Sequence, residues 1–152
     1  MSEIFTNRLK DVMMKAREEA IRLRNNYIAT EHLLLGLLKN GTDQDNVAIA
    51  FLKRIGMNIE ELSSLAERTA SITNSVVGIE DVTPFTVMVR NVLDTASYEA
   101  QELEHSFIGT GHLLLGLLKK DECKIATILN QRGLDYEKAK KEIVETIESV
   151  KE

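Results

Sequence analysis

The sequence predicts an all-α fold of eight helices, built as two tandem four-helix repeats related by a pseudo-twofold axis. The 152 residues include one proline and no tryptophan and are rich in Leu, Ile, Ala, Glu and Lys, a balance that favours helix. Apolar residues recur at the i, i+3, i+4, i+7 spacing of a helix face. The stretch "YIATEHLLLGLLK" at residues 27–39 returns as "FIGTGHLLLGLLK" at 107–119, with ten of thirteen positions identical. Self-similarity of this kind indicates a duplicated structural unit.

The first helix of each copy follows a Phe-Thr pair, Phe5-Thr6 and then Phe85-Thr86, eighty residues apart. Thr6 and Thr86 are predicted N-caps, because a hydroxyl accepts from the free N–H groups of a first helical turn. Six positions form an apolar stripe in each copy and stay apolar after the shift: Leu9, Val12, Met13, Ala16, Ala20 and Leu23, then Val89, Val92, Leu93, Ala96, Ala100 and Leu103.

The second helix of each copy is the repeated leucine-rich stretch itself. Thr30 and Thr110 are its predicted N-caps. The helix is apolar on all sides, so it must be enclosed by other helices. Gly36 and Gly116 each cost about 1 kcal/mol of helix propensity, and we expect them to let a neighbouring helix approach closely.

A third and a fourth helix complete each copy. Gly56 and Gly133 suit the position just past the end of the third helix. The fourth helices carry apolar faces with helical spacing: Ile59, Leu62, Leu65 and Ala66, then Tyr136, Ala139, Ile143 and Ile147. The one domain, 1–152, therefore divides into repeat 1 at 5–70, a linker at 71–84 without helical period, and repeat 2 at 85–150. Since about seventy residues bury only a marginal core, we expect the repeats to pack together as one globule.

Composition excludes several classes of partner. The net charge is −5, and basic residues are interleaved with acidic ones, so neither nucleic acid nor an anionic membrane surface is an expected partner. No run approaches eighteen apolar residues, which argues against a membrane span. Cys123 is the only cysteine, which rules out an internal disulfide and fits a reducing cytoplasm. A protein or peptide partner remains open.

The sequence lacks the residues that common enzyme motifs require. Gly36 and Gly41 have the spacing of a phosphate loop, but Thr42 stands where the lysine is required. The three histidines lack the spacing of metal ligands. We therefore predict no catalytic residue, no metal and no cofactor in this chain.

What remains is a charged site at a helix start. Free N–H groups and the helix dipole at Thr30 attract an anion, and the carboxylate of Glu31 can grip a guanidinium if it is open to solvent. In the simpler alternative, Glu31 only complements the dipole. For His32 and His112, we expect a structural hydrogen bond rather than a ligand role.

The doubled motif, "TEHLLLGLL" and "TGHLLLGLL", each preceded by an "EEA" or "YEA" helix, resembles the Clp N-terminal repeat of ClpC-type AAA+ unfoldases. The resemblance covers roughly Phe5 to Val150. It implies a domain that recruits protein substrates and adaptor proteins to an ATP-driven ring feeding a protease. ATP and Mg²⁺ would then be bound by ATPase modules of the parent protein, outside these residues.

In ClpC-type relatives the domain also recognises phosphoarginine, a degradation tag. Carried over by that resemblance, Glu31 would hold the guanidinium, with Thr30 and Thr6 near the phosphate. In the second copy Thr110 and Thr86 persist, but Gly111 offers no carboxylate. Ala29 also replaces the family's usual glycine. We expect the first site to be intact and the second to be crippled or repurposed.

Three readings of function follow. The first is a recruitment domain without chemistry, monomeric when isolated. The second is a hydrolase or transferase that uses Glu31 and His32, for which no nucleophile or metal is found. The third is a free-standing adaptor or regulator of a Clp ring. The tail "VETIESVKE" resembles a helix that runs into a linker and favours a fragment of a longer protein.

Overall fold

The computed structural model describes residues 4–72, 85–120 and 122–152, and within them the chain forms eight helices. They are α1 Asn7–Arg22, α2 Thr30–Leu38, α3 Val47–Arg54, α4 Ile59–Ile72, α5 Val87–Glu102, α6 Thr110–Lys119, α7 Lys124–Gln131 and α8 Tyr136–Ser149. The all-α prediction is confirmed. The end of α4 lies two residues inside the predicted linker 71–84, and the rest of that linker lies outside the described residues.

The first helix of each repeat begins at its predicted cap. The hydroxyl of Thr6 accepts from the Leu9 N–H at 3.0 Å, and that of Thr86 accepts from the Val89 N–H at 3.2 Å. Of the predicted stripe, Met13, Leu23 and their equivalents Leu93 and Leu103 are half-buried, and the others are buried. The repeated spacing therefore identified the inward face of α1 and α5.

The leucine-rich helices α2 and α6 form the centre of the molecule, and every residue from Thr30 to Leu38 is buried. Gly36 is the point where α1 crosses α2, since a Cβ there would lie 2.6 Å from the Val12 carbonyl oxygen. Gly116 meets the Val92 carbonyl of α5 in the same way, at 2.6 Å. The predicted close approach is confirmed in both repeats.

The third helices pack across the repeat boundary. Helix α3 of the first repeat lies against α6 and α8 of the second, and α7 of the second lies against α2 of the first. One hydrophobic core contains buried side chains from all these helices. Neither repeat therefore encloses its central helix without the other.

The chain segments that precede the helices also cross between repeats. The Thr6 N–H donates to the Ile108 carbonyl at 2.9 Å, and the Ile108 N–H donates to the Ile4 carbonyl at 2.8 Å. In the other direction, the Thr86 N–H donates to the Ile28 carbonyl at 3.0 Å. The start of α1 is thereby fixed beside the start of α6, and the start of α5 beside the loop that leads into α2.

Candidate anion-binding site at the helix starts

A histidine, rather than a threonine, caps the start of each central helix. The Nδ1 atom of His32 accepts from the Ala29 N–H at 2.8 Å, and its Nε2 lies 2.7 Å from the Asn25 side-chain oxygen. The Nδ1 atom of His112 accepts from the Gly109 N–H at 2.9 Å. Ala29 and Gly109 occupy the N-cap positions. The predicted structural role of both histidines is confirmed.

The prediction that Thr30 and Thr110 are N-caps is wrong, because each is the first residue of its helix. A first helical residue already has helical backbone, so its hydroxyl is directed away from the N–H groups that a cap would satisfy. Both hydroxyls instead contact carboxylates: Thr30 donates to Glu31, and Thr110 donates to Glu152.

Burial keeps both capping histidines neutral. It lowers the pKa of His32, and together with the neighbouring His105 it lowers the pKa of His112 to about 4. Since Nδ1 of His32 accepts a backbone hydrogen bond, Nε2 carries the proton and donates to Asn25. Both nitrogens of the His32 ring are therefore engaged in hydrogen bonds within the described part of the chain.

In the second repeat, four donors converge on the side-chain carboxylate of Glu152. Its Oε1 accepts from the Thr6 hydroxyl and from the Thr110 N–H, each at 3.0 Å. Its Oε2 accepts from the Val47 N–H at 2.9 Å and from the Thr110 hydroxyl. The Thr110 hydroxyl in turn accepts from the Ala48 N–H at 3.1 Å.

Two helix dipoles face this carboxylate. Val47 is the first residue of α3 and Thr110 is the first residue of α6, so the positive ends of both helices meet at one point. The donors come from the first repeat through Thr6 and Val47, and from the second through Thr110. The arrangement is a composite anion site at the junction of the repeats.

The site opens into a pocket of about 300 Å³ with apolar walls, formed in part by Phe107, Val47, Ile147 and Val150. Gly111 forms part of its floor. A Cβ at Gly111 would lie 2.8 Å from Cγ1 of Val47 and 2.9 Å from Cγ1 of Ile147. The space that a side chain at position 111 would need is therefore filled by apolar side chains from α3 and α8.

In the first repeat, Glu31 is buried with 3% of its surface exposed. Its Oε1 accepts from the Thr30 hydroxyl at 2.9 Å, the one hydrogen bond that its carboxylate makes with the described part of the chain. The expectation that Glu31 is open to solvent is wrong. The burial of Glu31 could not be predicted from the sequence, because acidic residues in the first turn of a helix are usually solvated.

The structure also regroups the predicted site residues. Thr6 was assigned with Thr30 and Glu31, but it shares the Glu152 carboxylate with Thr110. Thr86 was assigned with Thr110, but its backbone N–H donates a hydrogen bond to the carbonyl of Ile28, two residues before Thr30. The physical reason is that the segment before α1 forms hydrogen bonds with the second repeat, whereas the segment before α5 forms one with the first. Glu152 and the Val47 N–H were missed, since no periodic signal connects either one to the repeated motif.

Comparison with known proteins decides the family. The model of the Clp repeat (R) N-terminal domain matches residues 4–132 and, in a second match, residues 84–152. The chain belongs to the Clp repeat N-terminal domain family. It is 37% identical over 95% of its length to the ATP-dependent Clp protease ATP-binding subunit ClpA homolog of Guillardia theta. It is also 37% identical over 97% of its length to the chloroplastic chaperone protein ClpC2 of Oryza sativa subsp. japonica.

This Clp repeat domain spans only 17% and 16% of the lengths of those two relatives. Solved structures show the same fold. The Hsp104 N-terminal domain from Candida albicans matches with a TM-score of 0.77, 20% identity and coverage of 94% of this chain and 91% of that one. A ClpV N-domain in complex with a VipB peptide matches with a TM-score of 0.72, 19% identity and coverage of 96% and 88%. No helix among the described residues is long and apolar enough to cross a membrane.

Proposed function

We propose that this chain is the recruitment domain of a Clp-type AAA+ unfoldase: it binds protein substrates and adaptor proteins, performs no chemistry, and delivers them to an ATP-driven ring. Membership of the Clp repeat family supports this, as do relatives named as ATP-binding subunits of a Clp protease. The ClpV N-domain, which shares the fold, is described in complex with a peptide. ATP and Mg²⁺ belong to the ring and not to this chain, which acts as a monomer when isolated.

The proposed location is the cytoplasm. Cys123 is buried and free of any disulfide, as expected of a protein kept in a reducing compartment. The chloroplastic relative from Oryza sativa shows that the family also works elsewhere.

For the ligand, we propose that the first repeat recognises phosphoarginine, with Glu31 holding the guanidinium and Thr30 and Thr86 close to the phosphate. The position of Glu31 beside Thr30 in the first turn of α2, in a chain of the Clp repeat family, supports this proposal. Among the described residues, this carboxylate accepts one hydrogen bond, from the Thr30 hydroxyl, and 3% of the residue is exposed. A guanidinium would supply two parallel charge-assisted donors to it. The side chains around Glu31 must move for a ligand to enter.

Isothermal titration of the protein with free phosphoarginine tests the proposal. We expect one site per chain and at least a tenfold loss of affinity in Glu31→Gln, because a hydrogen bond to a charged group contributes about 1.5–3 kcal/mol. Glu60→Gln, at an exposed position in the first turn of α4, removes the same charge away from the site and should bind like the wild type. Two equal sites, or unchanged affinity in Glu31→Gln, would contradict it.

A further inference from the structure

The composite site in the second repeat is already filled by an anion that the chain itself supplies. The carboxylate of Glu152 uses all four converging donors, from Thr6, Thr110 and Val47, two of which are the first N–H groups of α3 and α6. Thr110 and Val47 are buried and Thr6 is half-buried, so these donors do not lie on an open surface. An internal group that satisfies a buried set of donors excludes any external ligand from them.

The surroundings of the donors decide which external anion fits. Gly111 leaves no carboxylate beside Thr110 at the place where Glu31 lies beside Thr30, and the other carboxylate that lines the pocket besides Glu152, that of Glu148, is exposed. The adjoining walls include the apolar side chains of Phe107, Ile147 and Val150, and the lining also contains Lys151, whose positive charge favours an anion. A carboxylate on a short aliphatic stem, which is an acidic side chain, matches both the donors and the walls.

We propose that this site binds an acidic side chain of a peptide segment from a protein partner, and that Glu152 is a resident competitor that must leave before such a segment enters. The inference rests on the proposed function only in taking a protein segment as the ligand. It involves neither Glu31 nor phosphoarginine. The second repeat would thus be a site of different specificity, closed by the segment that follows α8.

Nuclear magnetic resonance of the ¹⁵N-labelled protein tests this with a probe taken from the chain, the peptide Ac-Ser-Val-Lys-Glu-NH₂ that copies residues 149–152. In Glu152→Gln, an NH₂ group replaces one of the two carboxylate oxygens and cannot accept hydrogen bonds from the N–H and O–H donors that this oxygen contacts. We therefore expect the Gln side chain to leave the site. We expect the amide resonances of Val47 and Thr110 to shift in this variant before any probe is added. The probe should then bind at least tenfold more tightly to Glu152→Gln than to the wild type, as for a site occupied internally in about nine molecules of ten.

Matched controls separate this from a general effect of charge. Glu148→Gln removes a carboxylate that also lines the pocket but is exposed, and it should behave like the wild type. The peptide Ac-Ser-Val-Lys-Gln-NH₂ should bind Glu152→Gln at least tenfold more weakly than the acidic peptide. Inorganic phosphate should also bind more weakly than the acidic peptide.

Several results would overturn the inference. They are unchanged Val47 and Thr110 resonances in Glu152→Gln, equal or undetectable binding of the acidic peptide to both proteins, and tighter binding of phosphate than of the peptide. A failure of phosphoarginine recognition is read separately, from the resonances of Thr30 and Glu31 in a titration with phosphoarginine. Each proposal can therefore fail alone.

Discussion

At the scale of single residues, the histidine of each repeated motif couples protonation to folding. His112 is 1% exposed, and its Nδ1 can accept from the Gly109 N–H only while the ring is neutral. Burial and the nearby His105 hold its pKa at about 4, whereas an unfolded chain titrates it near its ordinary value of 6.5. Between these two values the unfolded state binds more protons than the folded state. The free energy of unfolding therefore rises with pH between these two values. The stability that neutral His112 contributes is lost as the pH falls from 6.5 to about 4.

We predict that the free energy of unfolding drops by about 2–4 kcal/mol between pH 7 and pH 4, from the difference in pKa of His112. Urea unfolding followed by circular dichroism at pH 7, 6, 5 and 4 measures it. His112→Gln keeps a side-chain acceptor for the Gly109 N–H but does not titrate, so its stability should depend less steeply on pH. A slope equal to that of the wild type would show that His112 is not the coupled group. The buried carboxylate of Glu19, whose pKa is lowered from 4.5 to about 2, also lowers stability at pH 4, so the comparison of His112→Gln with the wild type between pH 7 and pH 5 isolates the histidine.

At the scale of helices, the crossings of α1 over α2 and of α5 over α6 are fixed by glycine. The atom that a Cβ at Gly36 would meet is a backbone oxygen, which cannot rotate away as a flexible side chain can. We predict that Gly36→Ala lowers the free energy of unfolding by about 1–3 kcal/mol through overpacking, although alanine is the better helix former by about 1 kcal/mol. Thermal unfolding measures it. Gly116→Ala should cost a similar amount, and Ser64→Ala on the exposed face of α4 should cost nothing; a neutral Gly36→Ala would contradict the close crossing.

The helices were predictable because their signals are local or repeated. Periodic apolar positions, the caps Thr6 and Thr86, and Gly56 and Gly133 with φ near +81° and +86° all follow from neighbouring residues. One repeated signal was available and missed. Glu19 and Lys39 recur as Glu99 and Lys119, and in the structure each Lys Nζ lies within 3.1 Å of its buried carboxylate, which ties α1 to the end of α2 and α5 to the end of α6.

At the scale of the whole molecule, the features that sequence did not reveal are those that join distant segments. The contacts of Thr6 and Thr110 with Glu152 span 146 and 42 residues, and no spacing rule reaches so far. The filling of the space at Gly111 by Val47 and Ile147 is equally long-range. The expectation that the second site differs from the first followed from the missing carboxylate. The surroundings of Gly111, which come from both repeats, could be described only from the fold.

The packing of α3 against α6 and α8, and of α7 against α2, makes the two repeats one cooperative unit. Leu52 lies on α3 with none of its surface exposed, in a helix that packs against α6 and α8 of the other repeat. We predict that Leu52→Ala lowers the free energy of unfolding by about 2–5 kcal/mol and that unfolding remains a single transition. In native-state hydrogen exchange, amides of α6 and α8 should lose protection together with those of α2. An exposed alanine substitution on the same helix, Lys53→Ala, should leave exchange in α6 unchanged. Two separate transitions, or loss of protection confined to α1–α4, would mean that the repeats fold independently and that the composite site is assembled only after each has formed.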